Sequence, residues 1–131
     1  MAAELKRYNI NTIVCWSADC KSYFSRKPGS FDRLETIGRF KVYQWRDFHY
    51  NPFIEGRGYV LADQSGIRCY RVRTESKRVV LKYHYFEEFA VKGAADAGRS
   101  RSGEDPVGLI RIDGPKEYFT IINKYYGKRR Q

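Results

Sequence analysis

The strongest constraint on this chain's fold is a pair of β-rich runs, Ile67 to Thr74 and Arg78 to Phe86, separated only by Glu75-Ser76-Lys77. A three-residue connection has hairpin length, so the two runs read as adjacent antiparallel strands. Side chains alternate across a strand, which puts Tyr70 and Val72 on one face and Arg71 and Arg73 on the other. In the second run Val79, Leu81, Tyr83 and Tyr85 form an apolar and aromatic row suited to a core. Lys82 and His84 then point away from it.

Other segments repeat the β signal. Tyr8 to Trp16, Arg39 to Trp45, Gly58 to Ala62 and Val107 to Ile112 are rich in β-branched and aromatic residues, and Asp63-Gln64-Ser65-Gly66 has turn chemistry. In Arg39 to Trp45, Phe40, Val42 and Gln44 alternate with Lys41, Tyr43 and Trp45, and Lys27-Pro28-Gly29-Ser30 breaks the chain. Phe31, Leu34 and Ile37 recur at helical spacing and predict a short helix over 31–37. Pro52 has no N–H for a ladder, so Tyr50-Asn51-Pro52-Phe53 reads as a loop carrying aromatics. Gly93 to Asp105 has no large apolar residue to offset its ordering entropy and predicts a mobile loop. Tyr118, Ile121, Ile122 and Tyr125 fall at i, i+3, i+4 and i+7 after Gly114-Pro115, predicting a C-terminal helix that ends at Gly127 and docks on a sheet. These elements give an α+β fold: one antiparallel sheet of about six strands with the C-terminal helix on one face.

At 131 residues, with 42% hydrophobic content, the composition suits a single domain over 1–131 with one core. Lys and Arg total 25 against 15 Asp and Glu, a formal net charge of +10 that favours a polyanionic partner, nucleic acid above all. No apolar run approaches the roughly 18 to 20 residues of a spanning helix, and the opening Met-Ala-Ala-Glu-Leu-Lys does not resemble a signal peptide. The expectation is a cytoplasmic protein that does not engage membranes, with Lys128-Arg129-Arg130 leaving nuclear import open. Cys15, Cys20 and Cys69 form no Cys-x-x-Cys, and only His49 and His84 are present to help hold zinc, so reduced thiols and no metal are expected. Neither a Walker loop nor a Gly-x-Gly-x-x-Gly run appears, and no cofactor is expected.

The chemistry-bearing residues are mostly arginines. Arg68, Arg71, Arg73, Lys77, Arg78 and Lys82 meet a single Glu75 in the span from Arg68 to Lys82, and guanidinium groups fork onto phosphates and stack on bases. The competing reading is a solvated face with salt bridges. Trp45, Tyr50 and Phe53, close to Phe48, are candidate stacking rings for unpaired bases, or else a satellite of core packing. Arg99 and Arg101 in the expected loop, and Lys128, Arg129 and Arg130 at the C-terminus, are accessory basic residues that serve equally as RNA contacts or as solvated linker and tail.

Three function classes follow: an RNA-binding module that is not an enzyme, a metal-free ribonuclease, and an adaptor for an acidic partner joined by strand addition at a sheet edge. The ribonuclease reading uses His84 and Glu87, with His49, Glu88 and Arg73 as further members of a general acid, base and phosphate clamp.

Arg71-Val72-Arg73 followed by Lys77-Arg78 resembles the arginine-rich loop of cardiovirus 2A proteins, a picornavirus group. Tyr50-Asn51-Pro52-Phe53 and Val107-Gly108-Leu109-Ile110-Arg111-Ile112, before a Tyr-rich C-terminal segment, are also similar to that family. The resemblance implies a curved antiparallel sheet backed by helices. It also implies binding to a viral RNA hairpin and to small ribosomal subunits, with roles in programmed frameshifting and in shutting off host cap-dependent translation. Arg71, Arg73 and Arg78 would contact the RNA.

Overall fold

The computed structural model describes residues 2–101 and 105–128. The chain is mostly antiparallel β-sheet and divides into two compact units, Met1–Tyr50 and Asn51–Gln131. Where the composition suggested one core, each unit has its own buried cluster.

The first unit runs α1 (Ala2–Arg7), β1 (Thr12–Cys15), α2 (Ala18–Ser25), β2 (Phe31–Ile37) and β3 (Phe40–Trp45), with its strands in the order β1-β3-β2. Ser17 caps α2 by accepting the Cys20 N–H at 3.2 Å, satisfying one of the helix's orphan donors. The helix turns the chain back over β1 and joins Cys20 to Cys15 in a disulfide with a Cα separation of 5.5 Å. This corrects the expectation of three reduced thiols: a helix that the sequence reading did not find brings the pair together. Leu5, Cys15, Phe24, Phe31 and Tyr43 form the core. The helix expected over 31–37 is a strand paired with β3 and closed by the two-residue Gly38-Arg39 loop. With Phe31 packed inward, alternation turns Leu34 outward, and the irregularity between Arg33 and Glu35 resets the phase so that Ile37 is exposed as well.

The second unit contains β4 (Phe53–Glu55), β5 (Arg57–Asp63), β6 (Gly66–Arg73), β7 (Arg78–His84), β8 (Phe89–Lys92), β9 (Asp96–Ser100), β10 (Leu109–Asp113), β11 (Phe119–Asn123) and α3 (Lys124–Lys128). Its strands make two four-stranded sheets, β4-β7-β10-β9 and β5-β6-β11-β8. Ile67, Cys69, Val72, Phe119 and Ile121 from one sheet and Phe53, Val79, Leu81, Ile110 and Ile112 from the other belong to one core, so the sheets pack face to face.

The single sheet of about six strands with a docked C-terminal helix is therefore replaced by three sheets of three or four strands. The expected hairpin is also replaced: β6 pairs with β5 and β11, and β7 with β4 and β10. Thr74–Lys77 is an arch between sheets, tightened by Thr74 Oγ1 donating to the Arg78 carbonyl at 2.6 Å. The physical reason is burial. Facing sheets let the inward rows of both strands meet across one core, whereas a hairpin would line them up side by side. Phe119–Asn123 is a central strand rather than helix, with Phe119 and Ile121 buried and Thr120 turned outward. Within the expected mobile loop over 93–105, Asp96–Ser100 is an edge strand on β10, and 102–104 lie outside the described residues. Its small residues serve packing of another kind: a Cβ on Gly98 would lie 2.6 Å from the Arg111 guanidinium.

Candidate nucleic-acid interface

The outward face of the β5-β6-β11-β8 sheet follows from register. With Ile67, Cys69, Phe119 and Ile121 inward, period-two alternation sends Arg68, Tyr70, Tyr118, Thr120 and Ile122 outward. The face is ordered in rows. Leu61, Arg68, Thr120 and Lys92 stand in register across all four strands. Tyr59 stands opposite Tyr70, whose ring lies 5.0 Å from that of Tyr118, and beyond them Arg57 stands opposite Arg73. Tyr59 and Tyr118 are 66% and 49% exposed, so the aromatic row is open to solvent.

A bulge produces this arrangement. Between Arg57 and Tyr59 on β5 the partner strand advances from Arg73 to Tyr70, one residue more, and Arg71 adopts a φ of +51°. Strict alternation had paired Tyr70 with Val72 and Arg71 with Arg73. The extra residue resets the phase, so Val72 enters the core while Tyr70 and Arg73 face out together.

The electrostatics are mixed. Arg68 pairs with Asp63 at 3.4 Å, Arg73 pairs with Glu117, and Arg78 pairs with Glu55 at 3.0 Å. Of the expected RNA contacts, Arg68, Arg73 and Arg78 are thus individually partnered by carboxylates of the described residues, as the salt-bridge alternative had it. The participating arginines remain about half exposed, and surface pairs of this kind are weak enough for phosphate to displace a carboxylate. Among the described residues, Arg57, Arg71 and Lys92 have exposed side chains and no ion-pair partner. Ser65 donates to Asp63, which with the Ser65 and Gly66 amides and Arg68 holds that carboxyl below its ordinary range. The Ser76 hydroxyl, and then Arg78, do the same for Glu55.

The expected site residues scatter. Arg68, Arg71 and Arg73 share β6, Lys77 lies in the arch at a φ of +57°, and Arg78 and Lys82 belong to the opposing sheet. Phe53 is 3% exposed and sits in the core, so it is no stacking platform. Trp45 packs in the first unit, stacked with Phe31 at 6.4 Å, and Tyr50, 59% exposed, also belongs to that unit. Arg99 lies 4.6 Å from the Tyr85 ring centre within an ordered strand, whereas Arg101 is exposed just after it. Lys128 ends α3, and Arg129 and Arg130 lie outside the described residues. His84 closes β7 at the surface, and Glu87 is exposed before β8. The described residues contain no cluster of three or more His, Cys, Asp or Glu arranged for a metal. No described helix is long and apolar enough to cross a membrane.

Sequence reasoning missed Tyr59, Tyr118, Arg57 and Lys92. The Tyr59/Leu61 alternation in β5 was a usable signal, but nothing local showed that β11 brings Tyr118 beside Tyr70. Comparison with protein-family models, with curated proteins and with solved structures finds no match to this chain.

Proposed function

We propose that the second unit binds single-stranded RNA, or the unpaired loop of a structured RNA, on the outer face of the β5-β6-β11-β8 sheet. The observation that carries this reading is the open row Tyr59, Tyr70 and Tyr118 flanked by Arg57, Arg71 and Lys92. Exposed rings stack on bases of any sequence, while neighbouring cations track the backbone. The contact set is Arg57, Arg68, Arg71, Arg73 and Lys92 for phosphate, with the three tyrosines for bases. The likeness to cardiovirus 2A makes the proposed target an RNA hairpin, read at its loop, together with the small ribosomal subunit in translational control.

The test is fluorescence anisotropy with a short labelled single-stranded RNA. Tyr70→Ala is expected to weaken binding roughly tenfold or more, since each base–ring stack is worth about 1–3 kcal/mol. Arg71→Gly is expected to weaken it severalfold without lowering the melting temperature, because glycine accepts a positive φ. A correctly folded Tyr70→Ala protein that binds as tightly as the wild type would refute the proposal.

A further inference from the structure

At the arginine end of the tyrosine face, a cleft of about 490 Å³ opens where the β4–β5 connection meets the β6–β7 arch. That volume lies within the range of sites that take a nucleotide-sized molecule. Arg57 and Arg73 line it from directly opposite positions on neighbouring strands. Like charges facing each other across a ladder repel, and a bound anion relieves that repulsion.

The carboxylates nearby only partly serve this purpose. Glu117 engages Arg73, Glu55 is held by Ser76 and Arg78, and Glu75 also lines the cleft, but no carboxylate of the described residues forms an ion pair with Arg57. Gly56 lets this part of the lining approach Val79 closely: its φ is +90°, and a Cβ there would lie 2.6 Å from Val79 Cγ1. We infer that this cleft is a subsite for the phosphate monoester of a nucleotide, carried at the 5′ end of a strand on the tyrosine face or by a free nucleotide. A monoester has close to two negative charges and three acceptor oxygens, which two guanidinium forks match better than they match a singly charged diester. The ligand is a nucleotide because Tyr59 and Tyr70, on the same two strands as Arg57 and Arg73, offer a stacking surface. That identity rests on the RNA reading of the adjacent face.

The experiment is a titration of the isotope-labelled full chain with a nucleoside 5′-monophosphate, followed by amide shifts at Gly56, Thr74 and Ser76. Saturable shifts are expected, absent with the unphosphorylated nucleoside, weakened about tenfold in Arg57→Gln and strengthened in Glu117→Gln, which frees Arg73. A 5′-phosphorylated oligonucleotide that binds about tenfold tighter than its 5′-hydroxyl counterpart identifies the strand end as the source. Equal affinity of the two oligonucleotides, with the monophosphate still bound, identifies a free nucleotide. Cleft amides unmoved by the monophosphate overturn the inference, and Tyr70-dependent RNA binding in the same protein would show the face reading surviving without it. O-phosphoserine binding more tightly than the nucleotide overturns the nucleotide assignment.

Discussion

Arg71 is an exposed arginine at a φ of +51°, a backbone region that costs an L-residue about 1–2 kcal/mol and that glycine occupies freely. Its guanidinium therefore sits at a position whose geometry favours a residue with no side chain, on the strand that carries Arg68, Tyr70 and Arg73. The cysteines show the opposite logic, with chemistry suppressed by packing. Cys69 is fully buried, and burial pushes its thiol up to about 12. Because the folded value is raised, the thiol's contribution to stability is present below the unfolded value of roughly 8.5 and is lost as pH rises through the folded one. Alkylation of the native, unreduced protein should leave Cys69 unmodified. Under denaturant without reductant a single cysteine should label, and after reduction all three should, counted by mass spectrometry. Three labelled cysteines without reductant would remove the Cys15–Cys20 bond. That bond suits an oxidising environment and so weighs against the cytoplasmic placement expected from the lack of a spanning run and of a signal-peptide pattern.

Between elements, β6 decides most of what the second unit can do. It buries Ile67, Cys69 and Val72 on one side and presents Arg68, Tyr70 and Arg73 on the other, and the bulge at Arg71 keeps both sets in phase with β5 and β11. Its first residue is a close-approach position: a Cβ on Gly66 would fall 2.0 Å from the Ile121 carbonyl oxygen. Gly66→Ala should force β6 away from β11 and cost several kcal/mol, in the range of severe backbone and packing defects. The predicted result is a protein that is insoluble or melts far below the wild type, and a normal melting curve would show that the two strands are not in this register. The same register explains the failed helix prediction. Tyr118, Ile121, Ile122 and Tyr125 match a helical stripe, but Phe119, Thr120, Ile121 and Ile122 also alternate as a strand. Pairing on both sides favours the strand, because a docked helix would leave β8 without a neighbour and β6 with β5 alone.

For the molecule as a whole, a net charge of +10 makes polyanion binding sensitive to salt. If only Arg57, Arg71 and Lys92 meet phosphate, the slope of log K against log salt for single-stranded RNA should be about −2. If Arg68 and Arg73 exchange their carboxylates for phosphate it should steepen to about −3.5. A flat profile would rule out an electrostatic role for the face. The sequence alone determined the β-rich character, the excess of positive charge, the inward row of Val79 and Leu81, and the turn at Asp63–Gly66, because each depends on residues close together in the chain. Only the tertiary structure decided that Ile67–Thr74 and Arg78–Phe86 belong to different sheets, that Phe53 lies in the core, and that Tyr59, Tyr70 and Tyr118 form one open row. These are matters of partner choice and bulge phase. They are set by how two sheets bury a shared core, and a local pattern has no means of expressing that.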